Sequence, residues 1–221
     1  MDFWLESFAR AYFRRSADTA HDLKTPLNVA VLNLALMRMR VQKVTDGLED
    51  EKLNGHVQAI DTELRRMGQI FDAFFLLSTP PKGGERPGAV DAEAIARDEA
   101  AAAGLKLARS FPATVTGHEA RIRQAFKLFA EGAAHLCRPD GVEASTAIEG
   151  GWFRMTVVGR PADEELEPSK IFKFYYTDSA GNPDLSLASA RVIAETYGGE
   201  ISAAQEDGRV ELSMRLPLGE R

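Results

Sequence analysis

The sequence predicts an α+β protein: an N-terminal helical hairpin, then an α/β sandwich. Three observations carry that expectation. Through residues 23–74 apolar side chains recur at alternating spacings of four and three, the seam of bundled helices. A Pro- and Gly-rich run over 79–89 interrupts the pattern. Beyond it, short runs of strand periodicity alternate with helical ones, as in helices packed on one face of a mixed sheet. At 221 residues the chain is long enough for two small domains. The boundaries read as 1–78 for the hairpin, 79–89 for a linker and 90–221 for the sandwich.

In chain order, residues 2–17 set Leu5, Phe8, Ala9, Tyr12 and Phe13 among Arg10, Arg14 and Arg15. That is an amphipathic helix, read as an extension of the bundle ahead of a membrane-surface helix. The next helix carries Leu23, Leu27, Ala30, Leu34, Met37, Val41 and Val44 on its seam and ends at Thr45-Asp46-Gly47. Pro26 falls inside it and favours a bend. A second helix begins near Asp50 with Leu53, Val57, Ile60, Leu64, Met67, Phe71 and Phe74 on its seam. One hairpin cannot bury both faces of two such seams, so two chains are expected to pair as a dimeric four-helix bundle. Downstream, helices are expected at 91–103, 118–136 and 185–196. Strands are expected at 105–108, 114–116, 142–148, 152–158, 200–204 and 209–216.

Composition removes several classes of function. Hydrophobic residues make up 44% and charged residues 27%, an ordinary globular balance. No stretch approaches the roughly 20 apolar residues that cross a bilayer, and the N-terminus has no secretory pattern. A cytoplasmic location without an integral membrane segment is the expectation. A single cysteine, Cys137, excludes an internal disulfide framework and a cysteine metal cluster. The net charge of -6 argues against a nucleic-acid partner. Cys137 reads as buried; His56, His118 and His135 read as surface or structural histidines.

The chemistry sits at residues 21–27, His-Asp-Leu-Lys-Thr-Pro-Leu. With Leu23 and Leu27 on the seam, His21 falls on the flank, with Thr25 one turn and Asn28 two turns along. A solvent-accessible imidazole on a rigid helix, followed by an acid, is a competent nucleophile toward phosphorus near neutral pH. This heptapeptide resembles the phosphoacceptor box of two-component sensor histidine kinases. The resemblance implies that His21 carries a phosphoryl group, that Asp22 orients the imidazole or accepts its proton, and that Lys24 offsets phosphoryl charge. It also implies that Thr25 positions water for phosphatase activity. A partner would dock around Asn28, Val31, Leu32 and Ala35.

The second half resembles the ATP-binding (Bergerat) domain of the same kinases. Residues 117–124 are similar to the lead into its asparagine-bearing helix, 171–176 to its lid region, and 188–199 to the helix after its last glycine box. The nucleotide boxes themselves depart from the family. The two asparagine positions fall on Leu128 and Gly132, which offer no oxygen to a hard cation. Val157–Ala162 stands where an Asp-x-Gly-x-Gly box would read adenine. Asp184-Leu185-Ser186-Leu187 replaces a glycine-rich phosphate nest, with a carboxylate where a polyanion would lie.

The reading that follows is a histidine phosphotransfer protein exchanging phosphoryl groups with response-regulator receiver domains. It needs no cofactor of its own, since the receiver supplies Mg²⁺. A homodimer is expected, and the resemblance leaves room for an upstream hybrid kinase. The alternative is an ATP- and Mg²⁺-dependent autokinase with a divergent site, whose second domain moves to meet His21. A further alternative is a non-enzymatic dimeric regulator of a kinase or response regulator.

Overall fold

A computed structural model of the chain describes residues 27–28, 30–39, 41, 51–78, 87–163, 166–173, 176 and 184–219. By contacts the chain divides into two compact units, Met1–Pro80 with Gly181–Pro183, and Pro81–Ala180 with Asp184–Arg221.

In the first unit the described residues between 27 and 41 are helical (α1), and helix α2 spans Glu51–Ser78. Leu27, Leu34 and Val57 are buried. A Cβ added to Gly68 would sit 3.5 Å from Leu27 Cδ2, so the two helices approach closely there. Only part of each seam is covered. Met37, Ile60 and Met67 lie in register with the buried positions and are 50%, 48% and 46% exposed. Leu23, Val44, Phe74 and the helix expected over 2–17 fall outside the described side chains.

The second unit follows the expected order with one addition. Strand β1 (Gly88–Asp91) pairs antiparallel with β3 (Thr114–Gly117) as a separate two-stranded sheet. Its Gly88 and Ala89 lie in the stretch whose prolines and glycines read as linker. Helix α3 (Ala92–Ala102) starts where the Asp91 carboxylate accepts the Ala94 N–H at 3.0 Å, a side-chain N-cap. Glu93 is buried on its inner face, where Ser110 donates a hydrogen bond to it and Arg97 approaches to 3.4 Å.

The main sheet has five strands in the order β2-β4-β5-β7-β6. These are β2 (Leu107–Arg109), β4 (Glu143–Glu149), β5 (Trp152–Gly159), β6 (Glu200–Glu206) and β7 (Arg209–Pro217). β2 pairs parallel with β4, and all other pairs are antiparallel. Strand β2 begins two residues later than the apolar run 105–108 suggests; Leu105 is instead buried beyond the end of α3. Strict alternation along β5 sends Phe153, Met155 and Val157 to one face and Trp152, Arg154 and Thr156 to the other.

Helices α4 (Glu119–Leu136) and α5 (Ser186–Thr196) complete the helical layer with α3. Ile122, Phe126, Phe129 and Ala133 recur at helical spacing and are fully buried. Phe126 meets Phe153 edge-on at 5.9 Å between centroids, joining helix layer to sheet. The sandwich is therefore an α+β fold with its core between one sheet face and the helices.

Candidate functional site

The four residues expected to carry the chemistry, His21, Asp22, Lys24 and Thr25, lie outside the described residues. The expected docking residues are described. Asn28, Leu32 and Ala35 are exposed and Val31 is half-buried, all on α1. Their spacings of three, one and three put them on one face of the helix. Leu32 presents 60% of its surface to solvent. Beside Ala35 a groove of about 400 Å³ runs between α1 and α2, lined by Leu34, Arg38, Met39, Val57 and Asp61 among others. Asp61 accepts a 2.7 Å hydrogen bond from Arg65 Nε, and that bond is the main reason the Arg65 pKa rises. This face combines exposed apolar side chains with the Arg65–Asp61 ion pair beside the groove.

In the second unit, Leu128 and Gly132 lie on the C-terminal half of α4 and Asp184 just ahead of α5. Gly132 is buried against α5, and a Cβ added there would lie 2.7 Å from Leu187 Cγ and 3.2 Å from Ser186 Cβ. The absent side chain is what lets the two helices touch. Leu128, one turn earlier, is half-buried.

Asp184 sits just ahead of α5 and has found partners of its own. Its Oδ1 accepts the Ser186 N–H at 2.8 Å, using one of the unsatisfied donors at the helix start. Its Oδ2 lies 3.1 Å from His135 Nδ1 on the last turn of α4. Asp184 is 19% exposed at its side chain and His135 is 69% exposed. One carboxylate thus links the ends of two helices. Sequence reasoning flagged Asp184 as a misplaced charge and took His135 for a surface or structural residue; the bond between them was not foreseen.

The stretch 157–162 is also engaged internally. Arg138 N–H donates to Arg160 O and Ala162 N–H to Leu136 O, both at 2.8 Å. Cys137 and Pro161 form a β-bridge. Cys137 is buried, and loss of solvation pushes its thiol up to about 11, so it is packing rather than a nucleophile. At the opposite end of α4, His118 Nδ1 and the Tyr197 hydroxyl share a 3.0 Å hydrogen bond. Burial raises the Tyr197 pKa and lowers that of nearby Arg121. His118 is thus a hydrogen-bonded structural histidine.

With this geometry in hand, comparison with known proteins shows what the chain is similar to. Residues 14–83 match the model of the His Kinase A (phospho-acceptor) domain, a span that contains the whole heptapeptide. The chain is 27% identical over 222 residues to the signal transduction histidine-protein kinase BaeS of Escherichia coli (strain K12), covering 91% of this chain and 46% of that one. It is 25% identical over 210 residues to the sensor histidine kinase YkoH of Bacillus subtilis (strain 168), covering 87% and 44%. It therefore spans about half the length of the curated relatives it matches. Full-length ShkA, solved in complex with AMPPNP, shares the fold at a TM-score of 0.57 and 20% identity over 94% of this chain and 46% of that one. The Acinetobacter baumannii histidine kinase AdeS does so at a TM-score of 0.51 and 16% identity over 90% and 98%. These findings support a sensor histidine kinase core, a helical phospho-acceptor region followed by an α/β domain of the histidine kinase ATP-binding fold. Among the described residues no helix is long and apolar enough to cross a membrane.

Proposed function

We propose that this chain is a histidine phosphotransfer protein of a two-component relay, carrying a phosphoryl group on His21 between response-regulator receivers without using nucleotide. The observation that carries the reading is Asp184. By the resemblance, the start of α5 is where phosphates would approach bare backbone. Here an internal carboxylate accepts a helix-start N–H at 2.8 Å and reaches His135 at 3.1 Å. A nucleotide phosphate placed there would meet a like charge in a partly desolvated setting. The contact of Gly132 with Leu187 supports the same reading, since helix packing takes the room in which a metal-holding asparagine would stand. The residues present do not suit Mg-ATP.

Transfer then needs only a presented imidazole and a docking surface. The bond from phosphorus to the receiver's aspartate oxygen breaks as one to an imidazole nitrogen of His21 forms. Asp22 orients the ring or takes its proton, Lys24 offsets charge, and Thr25 positions water for hydrolysis. The receiver brings the Mg²⁺. Asn28, Val31, Leu32 and Ala35 form the docking face. Pairing of two hairpins into a four-helix bundle would cover Met37, Ile60 and Met67, exposed in the single chain.

An ATP-dependent autokinase is the second reading, favoured by the likeness to the histidine kinases BaeS and YkoH, which this chain matches over 91% and 87% of its length. Two measurements separate the readings. Purified protein titrated with Mg-ATP and ADP by calorimetry is expected to give no heat at millimolar nucleotide, whereas saturable binding selects the autokinase. Incubation with a phosphorylated receiver is expected to label the chain, and His21→Ala to abolish the label; a labelled variant sinks both readings together.

A further inference from the structure

The two edges of the five-stranded sheet are finished differently. Strand β2 is three residues long and its register with β4 shifts between Leu107 and Arg109. Shortness and irregularity are common ways of blunting an edge. Strand β6 is seven residues long, pairs with β7 without a shift from Glu200 to Glu206, and contains neither proline nor lysine. Among the described residues, no strand pairs with its other side. Among the described residues, no loop or turn makes a backbone hydrogen bond to it.

A groove of about 710 Å³ adjoins this strand, lined by Leu166, Pro168 and Phe172, by Arg191 of α5, and by Ile201–Ala203. Successive side chains of a strand point to opposite faces. A groove that touches three consecutive residues of β6 therefore follows the strand's edge. Its walls are anchored: Leu166 is 7% exposed, the Arg191 guanidinium lies 5.4 Å from the centre of the Phe172 ring, and Arg191 Nε donates to Glu195 at 2.8 Å.

We propose that β6 is a docking edge for an extended segment of another protein, which adds antiparallel to the sheet as a sixth strand. Its backbone pairs with β6, an apolar side chain enters the groove between Leu166 and Phe172, and lysine or arginine stands opposite Glu200 and Glu206. Charge selects this occupant. A second copy of the chain, paired antiparallel about Ala203, would set Glu200 against Glu206 at both ends, and like charges directly opposite are destabilising. Cations at those two places remove the repulsion and fix the register. Glu200 is already paired with Arg215 at 2.7 Å, so Glu206 is the stronger electrostatic determinant. The inference does not depend on how His21 is phosphorylated.

The probe is the blocked peptide Lys-Val-Thr-Val-Thr-Val-Lys, whose valines share the face of Ile201 and Ala203 when its lysines stand opposite Glu200 and Glu206, with a version carrying glutamate at both ends as control. Amide NMR spectra of the full chain are recorded during titration with each. The expected result is saturable shifts confined to 200–206 and 166–172, with the glutamate peptide weaker by about tenfold or more. Alternate amides of β6 face away from β7, so one of Ser202→Pro and Ala203→Pro removes an outward N–H and leaves the ladder intact. The variant that stays folded is expected to lose peptide binding. No shifts at about 5 mM peptide, equal binding of the two peptides, or shifts centred elsewhere would overturn the proposal. So would a concentration-dependent dimer of the wild type that the folded proline variant loses, which assigns the edge to a second copy.

Discussion

Gly132 shows how one missing side chain sets a contact between helices. Alanine has the better intrinsic helix propensity, yet its Cβ would lie 2.7 Å from Leu187 Cγ, a branch point and not a free end. Overpacking should outweigh the propensity gain, and Gly132→Ala is expected to lose about 1–3 kcal/mol of stability, read from urea unfolding of the full chain. Tyr197 supplies a second expectation. Its pKa is raised in the folded protein chiefly by burial, so the unfolded chain gives up that proton first. Stability from this residue is whole below the unfolded value and declines above about pH 10. The urea midpoint should fall between about pH 9 and about pH 11, and Tyr197→Phe should flatten that fall. Leu128, Gly132 and Asp184 stand out in the sequence when set against a family motif. The partners they take are not legible there. His135 and Asp184 lie far apart along the chain, and no local periodicity links them.

Elements were legible to the extent that periodicity defined them. The alternation of 152–158 and the helical stripe of 119–136 each translate into an element within a residue or two of expectation. Strand β1 was not visible because Pro87 and Gly88 are turn formers, and a short strand pairing only with β3 leaves a weak pattern. On the hairpin, the seam pattern marks which positions are apolar but not which are covered within one chain. Leu27, Leu34 and Val57 are buried while Met37, Ile60 and Met67 are open. Such exposed apolar residues are the surface on which a second hairpin would close. Ile60→Lys is accordingly expected to shift the protein from dimer to monomer in light scattering at micromolar concentration. An unchanged mass would remove this face from the dimer contact.

At the scale of the whole molecule, the proposed chemistry belongs to the first of the two units. If His21 is phosphorylated by a receiver, changes at α5 should alter stability without altering transfer. Asp184→Ala removes the acceptor of the Ser186 N–H and the partner of His135, and is expected to destabilise the second unit by about 1–2 kcal/mol. The rate of His21 labelling by a phosphorylated receiver should stay within about twofold, since a twofold change is well under 1 kcal/mol. A large fall in that rate would tie the second unit to the chemistry. The two-part plan was legible in the linker and the change of period, whereas the strand order was not, because β5 and β7 are neighbours separated by a helix and a strand in sequence. That neighbourhood has a consequence. Between Gly159 and Arg209 the chain passes through α5 and the edge strand β6, and Gly159 faces Val210 across the central ladder. Everything between is an excursion whose two ends are pinned together. Lengthening such a loop is cheap, roughly 0.6 kcal/mol for each doubling, so the central ladder is insensitive to what the excursion spells outside α5 and β6. Its sequence can drift without the sheet registering the change, so the residues ahead of α5 are free to vary while the fold around them persists.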